Sequence, residues 1–392
     1  MRGHIHRRDS KDRAGNAKSL WYVVIDIARG PDGRRRQKWH GSYPSRHAAE
    51  AARAEIIYRW YGGGYVEPSK LTLEEWVTDR WLPAMQNRVR STTWASYRRN
   101  FELHLLPRLG RYPMQKLTPG LLDSTYQQLL RTGRQNGSGG GLSPKTVNYL
   151  HTTLHTALRD AADAGLLTTN PADRAKPPRP AKTSPDGVRC WTPEQLRKFL
   201  MSVSGERLEA AWHLTAMTGM RRGEVLGLRW GDVDLESSRL VVRHTIIGTE
   251  HGARESTPKS GRPRMIDLDP GTVAQLRGHL ARQAIEQDRR DAECRESDLV
   301  FCREDGRHLD PDLFSRTFLG LAAEAGLPRI RLHDLRHTHA SIGLNAGVPL
   351  KVISERLGHA DPEYTMRQYI HALPGMQKEA AAKIASIVLP QS

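Results

Sequence analysis

Acid is the scarce charge in this chain: its 392 residues carry 43 Asp and Glu against 60 Lys and Arg, a formal net charge of +17. With a pI near 10.1, that shortage points to a polyanionic partner, nucleic acid before an anionic membrane surface. Cysteine is scarcer still. Cys190, Cys294 and Cys302 are odd in number and form no CxxC pair, which argues against a disulfide framework and for a reducing compartment. Long apolar runs are missing. The stretch WYVVIDI at 21–27 is short and broken by Asp26, and nothing approaches the roughly 20 apolar residues of a membrane span. MRGHIHRRDS is positively charged without an apolar segment behind it, so no secretory signal is expected. No self-similarity at the periods of repeat arrays is evident. What remains is a multidomain, nucleic-acid-facing protein, and at about 100–200 residues per domain its length predicts two or three domains.

The first part runs to about residue 66 and reads as a small basic sheet with a helix behind it. LWYVVIDIA clusters aromatic and β-branched residues and predicts a strand. PDG at 31–33 supplies a turn, and RRRQKWHGSY returns as a second strand. Ser45 can cap a helix over 46–60, ended by three glycines at 62–64. The first 64 residues hold 14 Lys and Arg against six acids, a net of +8. A basic sheet of this kind can enter a major groove through its strands, and Arg34, Arg35, Arg36 and Lys38 are its expected DNA contacts. A solvated basic hairpin with no partner has the same composition.

Residues 70–172 read as a helical bundle. Thr72 with Glu75 fits a capping box, and Trp94, Tyr97, Phe101 and Leu105 fall at helical spacing after Ser91. Thr118-Pro119 and Ser143-Pro144 each place a cap residue before a proline at the first helical position. The aromatic stripe reads as bundle core rather than a base-stacking platform. Residues 173–187 are rich in proline and basic side chains and form an extended linker. From 188 to 392 the pattern is mixed, mainly α, opening with the capping box Thr192-Pro-Glu-Gln195. Strands are expected near 239–247, 263–268 and 298–302, so the fold class is multidomain α+β with a small antiparallel sheet in the last domain.

The chemistry of that last domain is not announced by any one motif. His-x-x-Arg occurs four times in a chain with 17 histidines, so position must select among the copies. In TGMRRGEVLGLRWGDVDL, residues 218–235, Thr218-Gly219 ends one helix and Arg221 and Glu224 share a face near the start of the next. An arginine there can hold a phosphate, although an ion pair with Glu224 fits the spacing equally. Lys259 sits beside Ser260-Gly261 in a basic turn between strands. His333 and Arg336 lie at i,i+3 on one helix, His359 follows a glycine turn, and Tyr369 comes ten residues later in TMRQYIH. Taken alone, Tyr369 reads as a half-buried core tyrosine. Together the set suits transfer of a phosphodiester without metal. Two arginine forks neutralise the phosphoryl oxygens, a phenol is a usable nucleophile, and a lysine can protonate the departing oxygen. The carboxylate cluster of a two-metal nuclease is absent from this region.

TGMRRGE, LRW-x-D-V, the turn lysine, H-x-x-R, LGH and the terminal tyrosine occur here in the order found in tyrosine recombinases, the phage-integrase family, and the chain resembles that family over its whole length. The resemblance implies an arm-type DNA-binding domain at 1–66, a core-binding domain at 70–172 and a catalytic domain at 188–392. It implies that Arg221 and Arg336 clamp the scissile phosphate, that Lys259 is the general acid, and that His333 assists proton transfer. His359 would bond a non-bridging oxygen, and Tyr369 would form a 3′-phosphotyrosyl bond. Neither metal, ATP nor any other cofactor is implied. The implied partners are double-stranded attachment-site DNA and three further copies in a tetramer on synapsed DNA. A host bending factor and a directionality factor are compatible additions, no membrane is involved, and the setting is the bacterial cytoplasm at the nucleoid. Two rivals are weaker. His333 and His337 at i,i+4 resemble a zinc pair, but the second position, glutamate in such hydrolases, is the shorter Asp334. A DNA-binding regulator without cleavage would not need every catalytic position filled.

Overall fold

The computed structural model describes residues 3–11, 17–27, 36–61, 66–135, 139–179, 189–249, 252–257, 263–288, 298–358 and 385–386. The chain divides into two compact units, residues 1–181 and 182–392.

In the first unit a three-stranded antiparallel sheet, β1 (Gly3–Lys11), β2 (Ala17–Ile27) and β3 (Arg36–Tyr43), is ordered as in the sequence. The second and third strands were expected. β1 was not, because GHIHRRDSK carries a single aliphatic residue. It pairs with β2 from Gly3 opposite Ile25 to Lys11 opposite Ala17, and such a charged strand is how a sheet protects its edge. Helix α1 (Arg46–Tyr61) starts after Ser45, whose hydroxyl accepts from the Ala48 amide. Its Ala49 packs with Val23 and Ile25 into a small core. Strand alternation puts Lys38, opposite Ile25, on this helix-facing side. Trp39, half exposed, lies on the other face with the rings of His6 and Tyr22 meeting it edge-on.

A separate core belongs to four helices. Helix α2 runs from Leu73–Trp76 through a π turn, Val77–Trp81, into Leu82–Gln86. Helix α3 repeats the device: Ser91–Asn100, a π turn over Phe101–Leu105, then Leu106–Leu109. In both, the π turn ends two residues before a proline, Pro83 or Pro107. Proline cannot donate to the carbonyl four residues back and its ring clashes with it, so widening the preceding turn is one way to keep the helix running. Helices α4 (Pro119–Thr132) and α5 (Pro144–Asp163) begin at Thr118 and Ser143, whose side chains accept from Leu121 and Thr146 amides. The aromatic stripe is core. Phe101 is fully buried, and the indoles of Trp76, Trp81 and Trp94 donate to Ala157 O, Asp160 Oδ2 and Leu82 O at 2.8–3.1 Å.

The second unit opens with α6 (Pro193–Ser202), started by the Thr192–Gln195 capping box, followed by α7 (Glu209–Thr218) and the short α8 (Arg222–Leu226). Strands β4 (Val233–Asp234), β5 (Arg239–Val242) and β8 (Arg264–Asp267) form one antiparallel sheet, and β6 (Thr245–Thr249) pairs with β7 (Gly252–Ser256) as a hairpin. The strand expected at 298–302 is reduced to two isolated bridges, Arg229 with Leu299 and Cys302 with His308. Helices α9 (Pro270–Asp288), α10 (Pro311–Glu324), α11 (Leu332–Asn345) and α12 (Leu350–Leu357) complete the unit. Its core is aromatic, with Trp212 stacked on Phe314 at 4.1 Å and Phe199 and Phe318 beside Trp191.

Candidate active site

Two arginines remote in sequence meet at the carboxyl end of α12. Helix α7 stops at Thr218 because Gly219 turns left-handed (φ +64°), a conformation that suits glycine. The chain leaves extended through Arg221 (ψ 149°), and this residue caps α8. Its neighbour Arg222 is drawn off to α10, bonding Pro311 O, Asp312 and Ser315. Arg221 instead pairs with Glu224 at 2.9 Å and reaches Gly358 O at 3.4 Å. The ion pair anticipated for Glu224 therefore exists, but Glu224 is 1% exposed rather than on the surface.

Helix α11 supplies the second arginine. Asp334 fixes its first turn by accepting from the Arg331 amide and guanidinium. Leu335 faces the core at 1% exposure, and Arg336, only 2% exposed, donates to Gly219 O at 2.8 Å and Leu357 O at 2.5 Å. Arg336 thus ties the end of α7 to the end of α12. His333 lies exposed one turn earlier. Desolvation by its surroundings, then Arg336 and Arg221, push its pKa below the ordinary imidazole value, although Asp334 acts against them. His337 meets the His333 ring edge-on at 5.2 Å, and burial and the His333 charge lower it to about 4. Among the described residues, no three His, Cys, Asp or Glu side chains gather into a group able to hold a metal.

Arg221 and Arg336 are therefore brought together at the residues that precede His359, and His333, one turn before Arg336, feels the charge of both. Lys259, His359 and Tyr369 lie outside the described residues, as do Arg34 and Arg35. Arg36 begins β3. Lys38 is ion-paired with Glu67, and burial lowers its pKa.

One residue that no motif singles out is central. Arg264, on β8, binds Glu224 through both terminal nitrogens, at 3.0 and 2.6 Å, and donates through Nε to Arg356 O at 3.0 Å. Burial pushes the Glu224 carboxyl up, but the hydrogen bonds and charge of Arg264, followed by the charge of Arg221, outweigh it and hold the pKa at about 2. A signal was available: Arg264 shares its strand face with the buried Ile266, and an inward arginine needs a carboxylate.

The comparisons agree with this architecture. Residues 191–375 match the model of the phage integrase family, and residues 72–130 match the model of the phage integrase N-terminal SAM-like domain. The tyrosine recombinase XerC-like protein of Caldanaerobacter subterraneus subsp. tengcongensis is 26% identical over 95% of this chain and 98% of its own length. The ICEBs1 integrase of Bacillus subtilis is 28% identical over 70% of this chain and 72% of its own. Among solved structures, the Tn1549 transposon integrase in complex with a circular intermediate DNA superposes with a TM-score of 0.62, covering 77% of this chain and 98% of that one at 21% identity. A lambda integrase dimer bound to a COC′ core site has a TM-score of 0.55, covering 92% of this chain and 93% of that one at 16% identity. The fold, a helical SAM-like region ahead of a mainly helical unit with small antiparallel sheets, is that of the integrases. The chain belongs to the phage integrase family, the tyrosine recombinases.

Proposed function

We propose that this tyrosine recombinase is the integrase of a mobile element, which cuts and rejoins DNA at paired attachment sites to integrate or excise that element. The observation that carries the reading is the convergence of Arg221 and Arg336, from separate helices, on the last carbonyls of α12 immediately before His359. Two guanidiniums in fixed positions suit the non-bridging oxygens of one phosphate. In the proposed reaction the Tyr369 phenolate attacks phosphorus, forming a 3′-phosphotyrosyl ester as the bond to the 5′ oxygen breaks. Lys259 gives that oxygen its proton, His333 assists proton transfer, and His359 bonds a non-bridging oxygen. Attack by a 5′ hydroxyl of the partner strand reverses these steps. Phosphodiester bond energy is conserved in the tyrosyl ester, so rejoining needs no ATP.

We assign residues 1–66 to arm-type DNA binding, 70–172 to core-site binding, 173–187 to a linker and 188–392 to catalysis. On the sheet, the face bearing His6, Tyr22 and Trp39 is better suited to a groove than Lys38, which is engaged with Glu67. The assembly on synapsed sites is proposed as a tetramer. Lambda integrase, of the same fold, has been solved as a tetramer bound to a Holliday junction. A host bending factor and a directionality factor remain compatible with this reading, as does a place at the bacterial nucleoid.

A nicked suicide duplex spanning the element's junction sequence tests the reading. The chain should become covalently attached to DNA, and Tyr369→Phe should bind the duplex without forming the adduct. An adduct with the Phe variant would mean that another residue is the nucleophile. Binding without an adduct by the parent chain would favour a regulator.

A further inference from the structure

The carboxyl end of α12 is held by three arginines, one to each of three consecutive carbonyls. Arg264 Nε donates to Arg356 O at 3.0 Å, Arg336 to Leu357 O at 2.5 Å, and Arg221 to Gly358 O at 3.4 Å. Cations belong at this end of a helix, where unpaired carbonyls and the negative dipole coincide. The three are not equivalent. Arg221 and Arg336 are the arginines assigned to the phosphate, whereas the side chain of Arg264 is only 10% exposed and its two terminal nitrogens are bound to Glu224. The same carboxylate accepts from the Arg221 amide at 2.8 Å and from the Arg221 guanidinium at 2.9 Å.

Arg264 therefore has one edge on the carboxylate that orients Arg221 and the other on the helix end that leads to His359. Gly358 matches it closely. Its φ of +65° suits glycine, and a Cβ there would stand 2.8 Å from Arg264 Cδ. Arg264 also begins β8, five residues after Lys259 in the chain.

We propose that Arg264 is a positioning residue for strand cleavage, setting the direction of Arg221 through Glu224 and the place where the chain leaves α12 through Arg356 O. This rests on the assignment of Arg221 to the scissile phosphate. Lysine cannot replace it, because one ammonium cannot span a carboxylate in two-point contact and a carbonyl on the opposite side.

The test uses full-length Arg264→Lys and Arg264→Ala with the junction duplex, under single turnover. Both variants should bind DNA as the parent does and form the covalent adduct about 100-fold more slowly, the scale expected when a reacting group shifts by about 1 Å. A second duplex carries a neutral methylphosphonate at the cleavage position. It presents no negative charge for Arg221 to neutralise, so the gap between variant and parent should narrow. Cleavage at the parent's rate overturns the proposal. So does an equal deficit on both duplexes, or loss of folding in both variants by thermal melting, because the residue would then support only the fold. Absence of an adduct from the parent itself would count instead against the recombinase reading.

Discussion

Burying a carboxylate is costly unless cations meet it, and Glu224 at 1% exposure shows the condition satisfied from two sides. Its pKa of about 2 gives a definite sign to acid sensitivity. A depressed carboxylate stabilises the fold above the unfolded value, near 4.5, and loses that contribution as pH falls toward 2. His337 and His339 act at milder pH. Burial, first, and neighbouring charges (His333 for one, Arg356 for the other) lower both to about 4. Between roughly 6.5 and 4 the unfolded chain therefore takes up protons that the folded chain refuses, and stability should decline. The melting temperature of the full chain should fall across this interval, and His339→Gln should make the decline shallower. An unchanged slope would mean that His339 already carries a proton in the folded state. At this scale motif order singled out Arg221, His333 and Arg336 as the proposed phosphate-facing residues, and the contacts show Arg221 and Arg336 reaching one helix end. Arg264 was not separable from Lys259 and Arg262, because three cations within six residues look alike along the chain until a carboxylate 40 positions earlier selects one of them.

At the scale of elements, cap chemistry was the most readable signal because it is local. Thr72, Thr118, Ser143 and Thr192 each accept from an amide in the first turn of the helix they begin. Strand β1 and the two π turns were not readable. β1 is ordered by pairing with β2 rather than by its own composition, and a π turn depends on how the helix accommodates a downstream proline. The glycine at the end of α12 carries the strongest prediction. Gly358→Ala imposes both a left-handed conformation and contact with Arg264, so it should destabilise the second unit by more than about 1 kcal/mol. Thermal melting and adduct formation should both suffer. A variant as stable as the parent would show that Arg264 can move aside. In the bundle, Trp81 is 2% exposed and its indole bonds Asp160 at 2.8 Å. Trp81→Ala should cost about 3–5 kcal/mol in chemical unfolding, and a loss below about 1 kcal/mol would exclude a core role.

For the whole molecule, the +17 surplus is unevenly spent on structure. In the second unit, Arg207, Arg221, Arg222, Arg264 and Arg331 are all engaged with acidic partners. The first 64 residues carry a net +8, with few acids to balance it. Deleting residues 1–66 should weaken binding to distal sites and flatten its dependence on salt, since fewer counterions are released. Core-site cleavage should be spared. Unchanged distal binding in a salt titration would remove the arm-type assignment.

The sequence by itself determined the kind of partner, the helix starts, the aromatic core of the bundle and the order of the family's motifs. Each of these depends on composition or on residues a few positions apart. Only the tertiary structure decided which charges are engaged with one another: that Arg222 turns to α10 while Arg221 and Arg336 meet at α12, that Lys38 pairs with Glu67, and that Arg264 belongs to Glu224. A buried charge selects its partner by proximity in space and by desolvation, and neither is written in its neighbours along the chain.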